Sequence, residues 1–448
     1  MSVSKYLVAI FGGAVSGSEA AYQLAERGIP SVVFDQNALP YGKIEDGLPK
    51  WHAKLRDKEE ERINSKLDHP LVTFVPSTKL GEDIQFADLI QMGFSAVLLA
   101  IGAWKDRPLP IEGIDEYVGK GLIYQNPFIY WFNHKHEPGF DQNTYPIKDG
   151  AAIVGGGLAS LDVAKVLMFE LVEKALKERG HEVDLFALDR SIAKVLNEKG
   201  LTLDDLGIEG CTLYYRRRIK DMPLSPGSPS TPEEIAKAEM VREKILNNYQ
   251  SKYLFNIEPN QVPIDKIVEG DQLVGLIFQK TGLINGKLEL LPGTETAIRF
   301  PYVISSIGSL PDRIPGIPAC GNTYEICDEL FCRLSCYPNV FALGNAVTGR
   351  GNIKESMEHG REIAQNVIEG YLSEAEGDPN PMAKDRIAQA LNKLENEIRE
   401  HKISTAQYQQ IMGKVKAYQE KFGYDSNFRK WIDSHLPNRL ENILDSSH

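Results

Sequence analysis

Short apolar runs alternate with amphipathic stretches along most of this chain, and their spacing predicts its elements. The first apolar run predicts a buried strand at residues 6–11, and the stretch after it predicts a helix at 18–27. Further apolar runs predict strands at 31–34 and 96–101, the latter followed by Gly102. A strand, a glycine-rich turn, a helix and a second strand in this order are typical of the βαβ unit of a parallel sheet.

A second region repeats this order. We predict a strand at 151–154, a helix at 160–179 and, after a longer polar stretch, a strand at 211–215. The further predicted elements are a helix at 233–247, β-hairpins at 261–300, strands at 301–307 and 340–343, and an amphipathic helix at 357–372. The repetition indicates two βαβ-containing domains.

The C-terminal region has a different pattern. Residues 382–448 are charged and nearly free of glycine, and their apolar residues recur at helical spacing. Such positions are Ile387, Leu391, Leu394 and Ile398. We predict a helical hairpin appended to the core, and a homo-oligomer, if the chain forms one, would assemble through these helices.

Composition restricts the function classes. The chain has 448 residues, enough for two or three domains, and its net charge of −12 argues against nucleic acid as the main partner. No apolar run approaches the roughly 20 residues that span a bilayer, and the first residues lead directly into a strand. We therefore expect no membrane segment and no signal peptide. Five cysteines, an odd number, fit a reducing cytoplasm better than a disulfide scaffold.

The first glycine-rich turn has the pattern of a dinucleotide site. Gly12, Ala14 and Gly17 follow G-x-A-x-x-G at the start of a helix, whose free N–H groups attract phosphate. Asp35 ends the next strand, where a carboxylate can bind ribose hydroxyls. The alternative is a plain tight turn with a surface aspartate. The candidate contacts are Gly12, Gly13, Ala14, Val15, Ser16, Gly17, Asp35 and Gln36.

The second turn keeps both phosphate-facing glycines but lacks the acid. The strand after its helix ends in Arg216, Arg217 and Arg218. Guanidinium groups pair with a 2′-phosphate, which a carboxylate repels, so we predict a preference for NADP(H) over NAD(H). The alternative is a solvated basic patch. The candidate contacts are Gly155, Gly157, Leu158, Ala159, Ser160, Arg216 and Arg217.

Longer segments resemble a known family. Residues 40–52, PYGKIEDGLPKWH, are similar to a stretch of adrenodoxin reductases and their bacterial ferredoxin–NADP reductase relatives. Residues 215–225, YRRRIKDMPLS, resemble a motif of the glutamate synthase small subunit, and LDVAK (161–165) and SIGSLP (306–311) fit the same group. The resemblance covers roughly residues 5–373 and leaves the C-terminal region without a counterpart.

The resemblance implies an α/β fold with two Rossmann-like dinucleotide-binding domains and a C-terminal helical extension. On this basis the FAD-binding domain comprises residues 1–112 and 305–374, the inserted NADP-binding domain 113–304, and the extension 375–448. FAD would lie on the first turn together with the strand and turn at 340–344, and NADPH would lie on the second turn.

The resemblance also implies roles for single residues. Gly42 and Lys43 would flank the flavin ring, and Glu234 would lie near the nicotinamide. His52 would relay a proton near the flavin, unless it is a structural histidine bonded to backbone. The other cofactor contacts carried over are Gly102, Gly344, Asn345, Gly351, Asn352 and Ile353.

Three positions depart from the family pattern. Many related flavoproteins have an aspartate where this chain has Asn345. Family members often carry leucine at the position of Lys43 and arginine at the position of Glu45. These differences concern the electron acceptor more than the fold.

Four cysteines lie close together in the sequence. Cys320, Cys327, Cys332 and Cys336 could in principle hold an iron–sulfur cluster, but their spacing matches no common cluster motif. We therefore favour free thiols and predict no metal. The chain contains no C-x-x-C, so we expect electrons to leave directly from FAD.

The sequence thus predicts an FAD-dependent NADPH oxidoreductase of the ferredoxin–NADP reductase type. Its acceptor would be a ferredoxin-like or flavodoxin-like carrier protein. One alternative is an electron-input subunit of a larger complex, as in glutamate synthase-like assemblies. Another is a non-enzymatic flavin-binding sensor, which Ala14 and Asn345 would suit.

Overall fold

The computed structural model describes residues 5–225, 227, 229–349, 351–372 and 402–445. Its internal contacts divide the chain into two compact units. Unit 1 comprises the described residues of Met1–Leu48, His52–Lys105 and Ser309–His448, and unit 2 those of Pro49–Trp51 and Asp106–Gly308.

The strands within these described residues are short, and most of them belong to two parallel sheets. In chain order they are β1 (Val8–Phe11), β2 (Ser31–Phe34), β3 (Val72–Val75), β4 (Ala96–Leu99), β5 (Lys105–Asp106), β6 (Leu122–Tyr124), β7 (Ala152–Gly155), β8 (Thr212–Tyr215), β9 (Asn256–Pro259), β10 (Gln261–Glu269), β11 (Gln272–Ile284), β12 (Lys287–Leu290), β13 (Thr296–Arg299), β14 (Val303–Ser306), β15 (Ser309–Leu310), β16 (Ala319–Cys320), β17 (Thr323–Tyr324), β18 (Ile326–Asp328), β19 (Arg333–Leu334) and β20 (Val340–Ala342).

The helices range from one turn to six turns. In chain order they are α1 (Val15–Glu26), α2 (Lys43–Asp46), α3 (Ala53–Leu67), α4 (Phe86–Met92), α5 (Gln125–His134), α6 (Leu158–Glu178), α7 (Leu185–Arg190), α8 (Ile192–Glu198), α9 (Leu203–Leu206), α10 (Pro232–Tyr253), α11 (Asn345–Thr348), α12 (Ile353–Asn366), α13 (Thr405–Lys421), α14 (Phe428–His435) and α15 (Leu440–Asp445). No helix of the described ranges is both long and apolar enough to cross a membrane.

A seven-stranded sheet forms the centre of unit 1, in the order β18-β19-β20-β4-β1-β2-β3. Five of these strands, from β20 to β3, run parallel, and Phe11, Phe34 and Leu99 lie level at the carboxyl ends of β1, β2 and β4. Every residue of β1 is buried, as expected for a central parallel strand that is covered on both faces. Residues of α1, α3, α12 and α14 cover one face, and residues of α4 and α13 cover the other. The unit is therefore a doubly wound parallel sheet.

Unit 2 contains a five-stranded parallel sheet in the order β6-β14-β7-β8-β9. Helices α5 to α10 pack on one face through Val163, Leu167 and other fully buried residues. On the other face lies the antiparallel β10–β13 sheet, which contributes Leu273, Leu276 and Phe278 to the core. The two units confirm the predicted α/β class with two parallel, Rossmann-like sheets, and β10 to β13 are the predicted hairpins.

Several predicted boundaries were wrong. Helices α1, α6 and α12 begin at Val15, Leu158 and Ile353, earlier than the apolar periodicity indicates. The reason is that their first turns carry small or exposed residues, which leave no periodic signal. The polar stretch near 180–210 contains α7, α8 and α9, each with a side-chain N-cap, from Asp184, Ser191 and Thr202 respectively. The caps mark the starts of these short helices, and buried apolar residues such as Leu188, Ile192 and Val195 recur at helical spacing along α7 and α8.

The C-terminal region is helical, as predicted, over residues 402–445. Its arrangement as an appended hairpin was wrong, because the described residues form three helices, α13, α14 and α15, and apolar side chains of α13 and α14 belong to the core of unit 1. Val415 and Ile411 pack on one face of the sheet, and Phe428 and Trp431 pack on the other. The predicted helical positions Ile387, Leu391, Leu394 and Ile398 lie outside the described residues.

Candidate functional site

The first glycine-rich turn connects the carboxyl end of β1 to α1. The Gly12 N–H donates to the Phe34 carbonyl at 2.7 Å, which fixes the turn to β2. A β-carbon on Gly17 would stand 1.7 Å from the Gly12 carbonyl oxygen, so only glycine allows the helix to start this close to the strand. No side chain caps α1 at Ala14. The N–H groups of its first turn are therefore available to a phosphate.

Asp35 is buried beside this turn and is not a surface residue. Its two carboxylate oxygens accept hydrogen bonds from the Gly13 N–H at 2.7 Å and the Asn37 N–H at 2.9 Å. Burial raises the pKa of Asp35 to about 7, although the hydrogen bonds from Asn37 and Gly13 oppose this shift. Each carboxylate oxygen keeps further acceptor capacity. A ribose hydroxyl can therefore still bind to Asp35, as the spacing predicts.

Two distant segments meet the same turn. A β-carbon on Gly42 would lie 3.1 Å from the Ala14 β-carbon, and one on Gly344 would lie 2.5 Å from Ser16 Oγ. The fold thus brings residues near 12–17, 42 and 344 into direct contact. Gly351 lies beside Asn345, since its β-carbon would stand 3.4 Å from Asn345 Nδ2.

Asn345 carries an unsatisfied acceptor at this place. Its Oδ1 is buried and accepts no hydrogen bond from the described part of the chain. A buried acceptor without a donor costs free energy, of the order of 1–3 kcal/mol, and buried polar atoms in folded proteins usually have partners. A bound molecule with hydroxyl or amide donors would satisfy it. The open helix end, the buried carboxylate and this acceptor together fit a dinucleotide.

The second turn connects β7 to α6 in unit 2. A β-carbon on Gly155 would stand 2.2 Å from Ser160 Oγ and 2.4 Å from the Ser306 carbonyl oxygen. Ser160 takes the third glycine position and is fully buried, and its hydroxyl donates to the Ser306 carbonyl at 3.0 Å. A β-carbon on Gly157 would meet no atom within 4 Å, and no side chain caps α6 there. Leu158 and Ala159 are exposed, so this helix end is open to a phosphate.

The arginine run after β8 divides into two parts. Arg216 and Arg217 are exposed, and their carbonyl oxygens accept hydrogen bonds from Thr281 and Asn260, which fixes the backbone at this point. Arg218 instead makes two hydrogen bonds to Asp221, at 3.0 and 2.8 Å. Because a carboxylate already neutralises Arg218, Arg216 and Arg217 are the candidate phosphate ligands of this run.

The exposed arginines lie near the second turn. They follow Tyr215 directly, and a β-carbon on Gly156 would stand 2.1 Å from the Tyr215 ring. Strands β7 and β8 are parallel neighbours, with Val154 opposite Tyr214, so both end at the same edge of the sheet. A phosphate-bearing ribose could thus reach from the helix end to these guanidinium groups.

The other predicted cofactor contacts of unit 1 differ in how exposed their side chains are and in what they contact. Val15 and Gln36 are half-buried. Lys43 donates to Ser309 Oγ at 3.1 Å, and its ammonium lies 5.7 Å from the centre of the Trp104 ring, just beyond Gly102. Asn352 caps α12 by accepting the Glu355 N–H at 2.7 Å, and Ile353 is the first residue of that helix.

His359 is a site residue that the sequence pattern does not reveal. Its Nδ1 accepts the Gly344 N–H at 3.0 Å, so the ring proton of the neutral form is on Nε2, which faces Cys332 Sγ at 3.7 Å. Burial lowers the pKa of His359, which favours this neutral form. The histidine supports the turn at Gly344 from a helix 15 residues later, and no motif spacing marks it.

Comparisons with known proteins agree with this geometry. No family model matches the chain. The chain is 26% identical over 254 residues to the mitochondrial NADPH:adrenodoxin oxidoreductase of Arabidopsis thaliana, covering 53% of this chain and 50% of that protein. It is 25% identical over 369 residues to the glutamate synthase [NADPH] small chain of Bacillus subtilis, covering 80% and 66%.

Among solved structures, FprA of Mycobacterium tuberculosis in complex with NADPH has a TM-score of 0.67 at 19% identity and covers 93% of this chain and 91% of its own. This chain thus resembles the adrenodoxin reductase and glutamate synthase small chain group of NAD(P)/FAD oxidoreductases. The resemblance predicted from the sequence is thereby confirmed. The chain spans half the length or less of several curated relatives that it matches.

His52 and Glu234, for which the family resemblance implies roles near the cofactors, both lie at the starts of helices. His52 is half-buried at the N-cap position of α3. Glu234 is exposed in the first turn of α10, and its carboxylate accepts three hydrogen bonds from Ser230 and Thr231. These bonds, first the one from the Ser230 N–H, lower the pKa of Glu234. The proton relay by His52 and the nicotinamide contact of Glu234 remain predictions. In the structure, Glu234 caps the start of α10.

The five cysteines of this chain are all free thiols. Burial raises the pKa of Cys332 to about 11, so its thiol is protonated at neutral pH. Cys320, Cys327 and Cys336 are exposed. The described ranges contain no group of three or more histidine, cysteine or acidic side chains arranged to hold a metal ion.

Proposed function

We propose that this chain is an FAD-dependent oxidoreductase that oxidises NADPH and delivers the electrons to a ferredoxin-like or flavodoxin-like carrier protein. One observation carries the proposal. Each unit has an open helix N-terminus at the edge of a parallel sheet, and the side chains beside this N-terminus are acidic in unit 1 and basic in unit 2. Unit 1 offers the buried carboxylate of Asp35, and unit 2 offers the exposed guanidinium groups of Arg216 and Arg217. A carboxylate suits an unphosphorylated ribose, and arginines suit a 2′-phosphate.

Unit 1 would hold FAD. The N–H groups of the first turn of α1 would bind its pyrophosphate, Asp35 would accept from its ribose hydroxyls, and Asn345 Oδ1 would accept from a donor of the cofactor. When bound, FAD supplies the redox chemistry, since it takes two electrons from a nicotinamide and can release them one at a time. The chain itself binds and orients the cofactor and tunes the charge around it.

Unit 2 would hold NADPH. The first turn of α6, open at Gly157, would bind the pyrophosphate, and Arg216 and Arg217 would bind the 2′-phosphate. His52 would hold or move a proton as charge arrives at the flavin. A role for Glu234 beside the nicotinamide would require its carboxylate to leave the Ser230 and Thr231 donors.

Anaerobic reduction tests the proposal directly. The purified chain, reconstituted with FAD, should show a flavin spectrum that NADPH bleaches faster than NADH does. Absence of bound flavin after reconstitution would overturn the proposal. Bleaching at equal rates with both nucleotides would contradict the role of the arginines alone. Bound flavin that NADPH fails to bleach would instead support the flavin-binding sensor.

A second candidate is an electron-input subunit of a larger enzyme. It is favoured by the similarity to a glutamate synthase small chain, which extends over 80% of this chain. A stable complex with a catalytic subunit in affinity purification would support it. Fast NADPH-dependent reduction of a ferredoxin by the isolated chain would count against it.

A further inference from the structure

The C-terminal helices are tied to unit 1 by specific polar contacts as well as by apolar packing. The Trp431 indole N–H donates to the Ala38 carbonyl at 2.8 Å, and the Gln419 amide donates to the Phe74 carbonyl at 2.7 Å. Arg56 of α3 forms an ion pair with Glu441 of α15. This region is therefore an integral part of unit 1.

Arg439 adds two largely buried ion pairs to these contacts. Its Nη1 donates to both carboxylate oxygens of Glu45, and its Nη2 donates to Glu60 at 2.8 Å. The three side chains are each between 10% and 13% exposed. Burial raises the pKa of Glu60, and the charge of Arg439 opposes this effect. Because buried charges are stable only when paired in good geometry, the guanidinium holds both acids in one arrangement.

Glu45 belongs to the loop that lies against the first dinucleotide turn. It is on α2, which begins directly after Gly42, and Gly42 lies against Ala14. On the other side of this loop, a β-carbon on Gly13 would stand 2.7 Å from the Pro40 β-carbon. The loop from Pro40 to Asp46 thus contacts Gly13 and Ala14, the residues at the open end of α1.

We propose that Arg439 is a positioning residue for the cofactor of unit 1, because it clamps the Pro40–Asp46 loop against the first dinucleotide turn. The inference rests on the proposed binding of FAD at this turn. The planar guanidinium is suited to the task, since it can bind two carboxylates in a fixed direction. The C-terminal region thereby contributes to flavin binding without touching the flavin.

Full-length Arg439→Met tests the clamp. We expect the dissociation constant for FAD to rise by about tenfold, and the flavin circular dichroism and reduction potential to shift, because the loop is no longer fixed. Arg429→Met is the matched control. Arg429 lies in the same region, and its ion pairs with Glu61 and Asp68 are exposed, so its loss should change neither flavin property.

Arg439→Lys guards against simple unfolding, since Arg439→Met removes the charge that pairs with the buried acids Glu45 and Glu60. The lysine keeps the charge but not the two-sided geometry, so the thermal stability of the apoprotein should stay close to that of the original chain while FAD binding remains weakened. Unchanged FAD affinity in the lysine and methionine variants, with only the melting temperature lowered, would overturn the inference but not the proposed function. Failure of the unaltered chain to bind FAD would overturn both.

Discussion

Replacing Arg216 and Arg217 together by alanine should separate NADPH from NADH. Both side chains are exposed, at the end of the strand next to the one that leads into the second turn. NADPH and NADH differ only in the 2′-phosphate. The substitution should therefore lower kcat/KM for NADPH and leave the value for NADH nearly unchanged.

The expected size follows from the two contacts that are lost. A hydrogen bond to a charged group contributes about 1.5–3 kcal/mol. Because solvent screens both exposed arginines, we use the lower end of this range. The two contacts together then amount to about 3 kcal/mol, which corresponds to about 100-fold in kcat/KM.

Steady-state turnover with an artificial electron acceptor measures both nucleotides in the same assay. Arg218→Ala is the internal control, because Arg218 is paired with Asp221 and its removal should change the NADPH value little. Equal losses for NADPH and NADH would refute the reasoning. So would a loss in Arg218→Ala as large as that in the double variant.

Three further outcomes are expected. Ribose hydroxyls donate to the ionised form of Asp35, whose pKa is about 7, so FAD affinity should fall as the pH drops through about 7, by up to about tenfold per pH unit. Fluorescence titration of FAD binding at several pH values measures this fall, and the same pH dependence in Asp35→Asn would contradict it. Gly17→Ala would place a β-carbon 1.7 Å from the Gly12 carbonyl and should destabilise unit 1 by about 3 kcal/mol in calorimetry. The β-carbon of Gly157→Ala would meet no atom within 4 Å, so this variant should keep full stability but bind NADPH more weakly. Equal melting temperatures for the Gly17 and Gly157 variants would contradict the expected difference in stability.

Hydrophobic pattern alone predicts the central strands of the two parallel sheets but not the edge strands β3, β6 and β9. Strands β1 and β7 are buried at every residue, so they appear as continuous apolar runs, and each precedes a glycine-rich turn. Helix starts are less visible, because the first turns of α1 and α6 carry small or exposed residues where the phosphate-binding ends lie. The α7–α9 segment has apolar residues at helical spacing as well as caps, but the polar residues between them hide this pattern.

Local spacing also predicts part of the candidate site. Asp35 ends the strand that follows the first helix, at the usual spacing, and the arginines end the strand that follows the second helix after a long polar stretch, so the charge difference between the two sites is readable from the order of the elements. Local spacing does not distinguish Arg217 from Arg218, since the pairing of Arg218 with Asp221 depends on how the chain turns after β8. It also misses His359, whose contact with Gly344 requires α12 to lie beside that turn.

The sequence by itself therefore determined two βαβ units and the charge beside each turn, because these features follow the order of strand, turn, helix and strand along the chain. Only the tertiary structure decided how the C-terminal region is used. Arg439 and Glu45 are 394 residues apart, and no periodicity or spacing connects them. Their contact forms because α14 packs on one face of the unit 1 sheet, which brings the guanidinium to the loop beside the first dinucleotide turn.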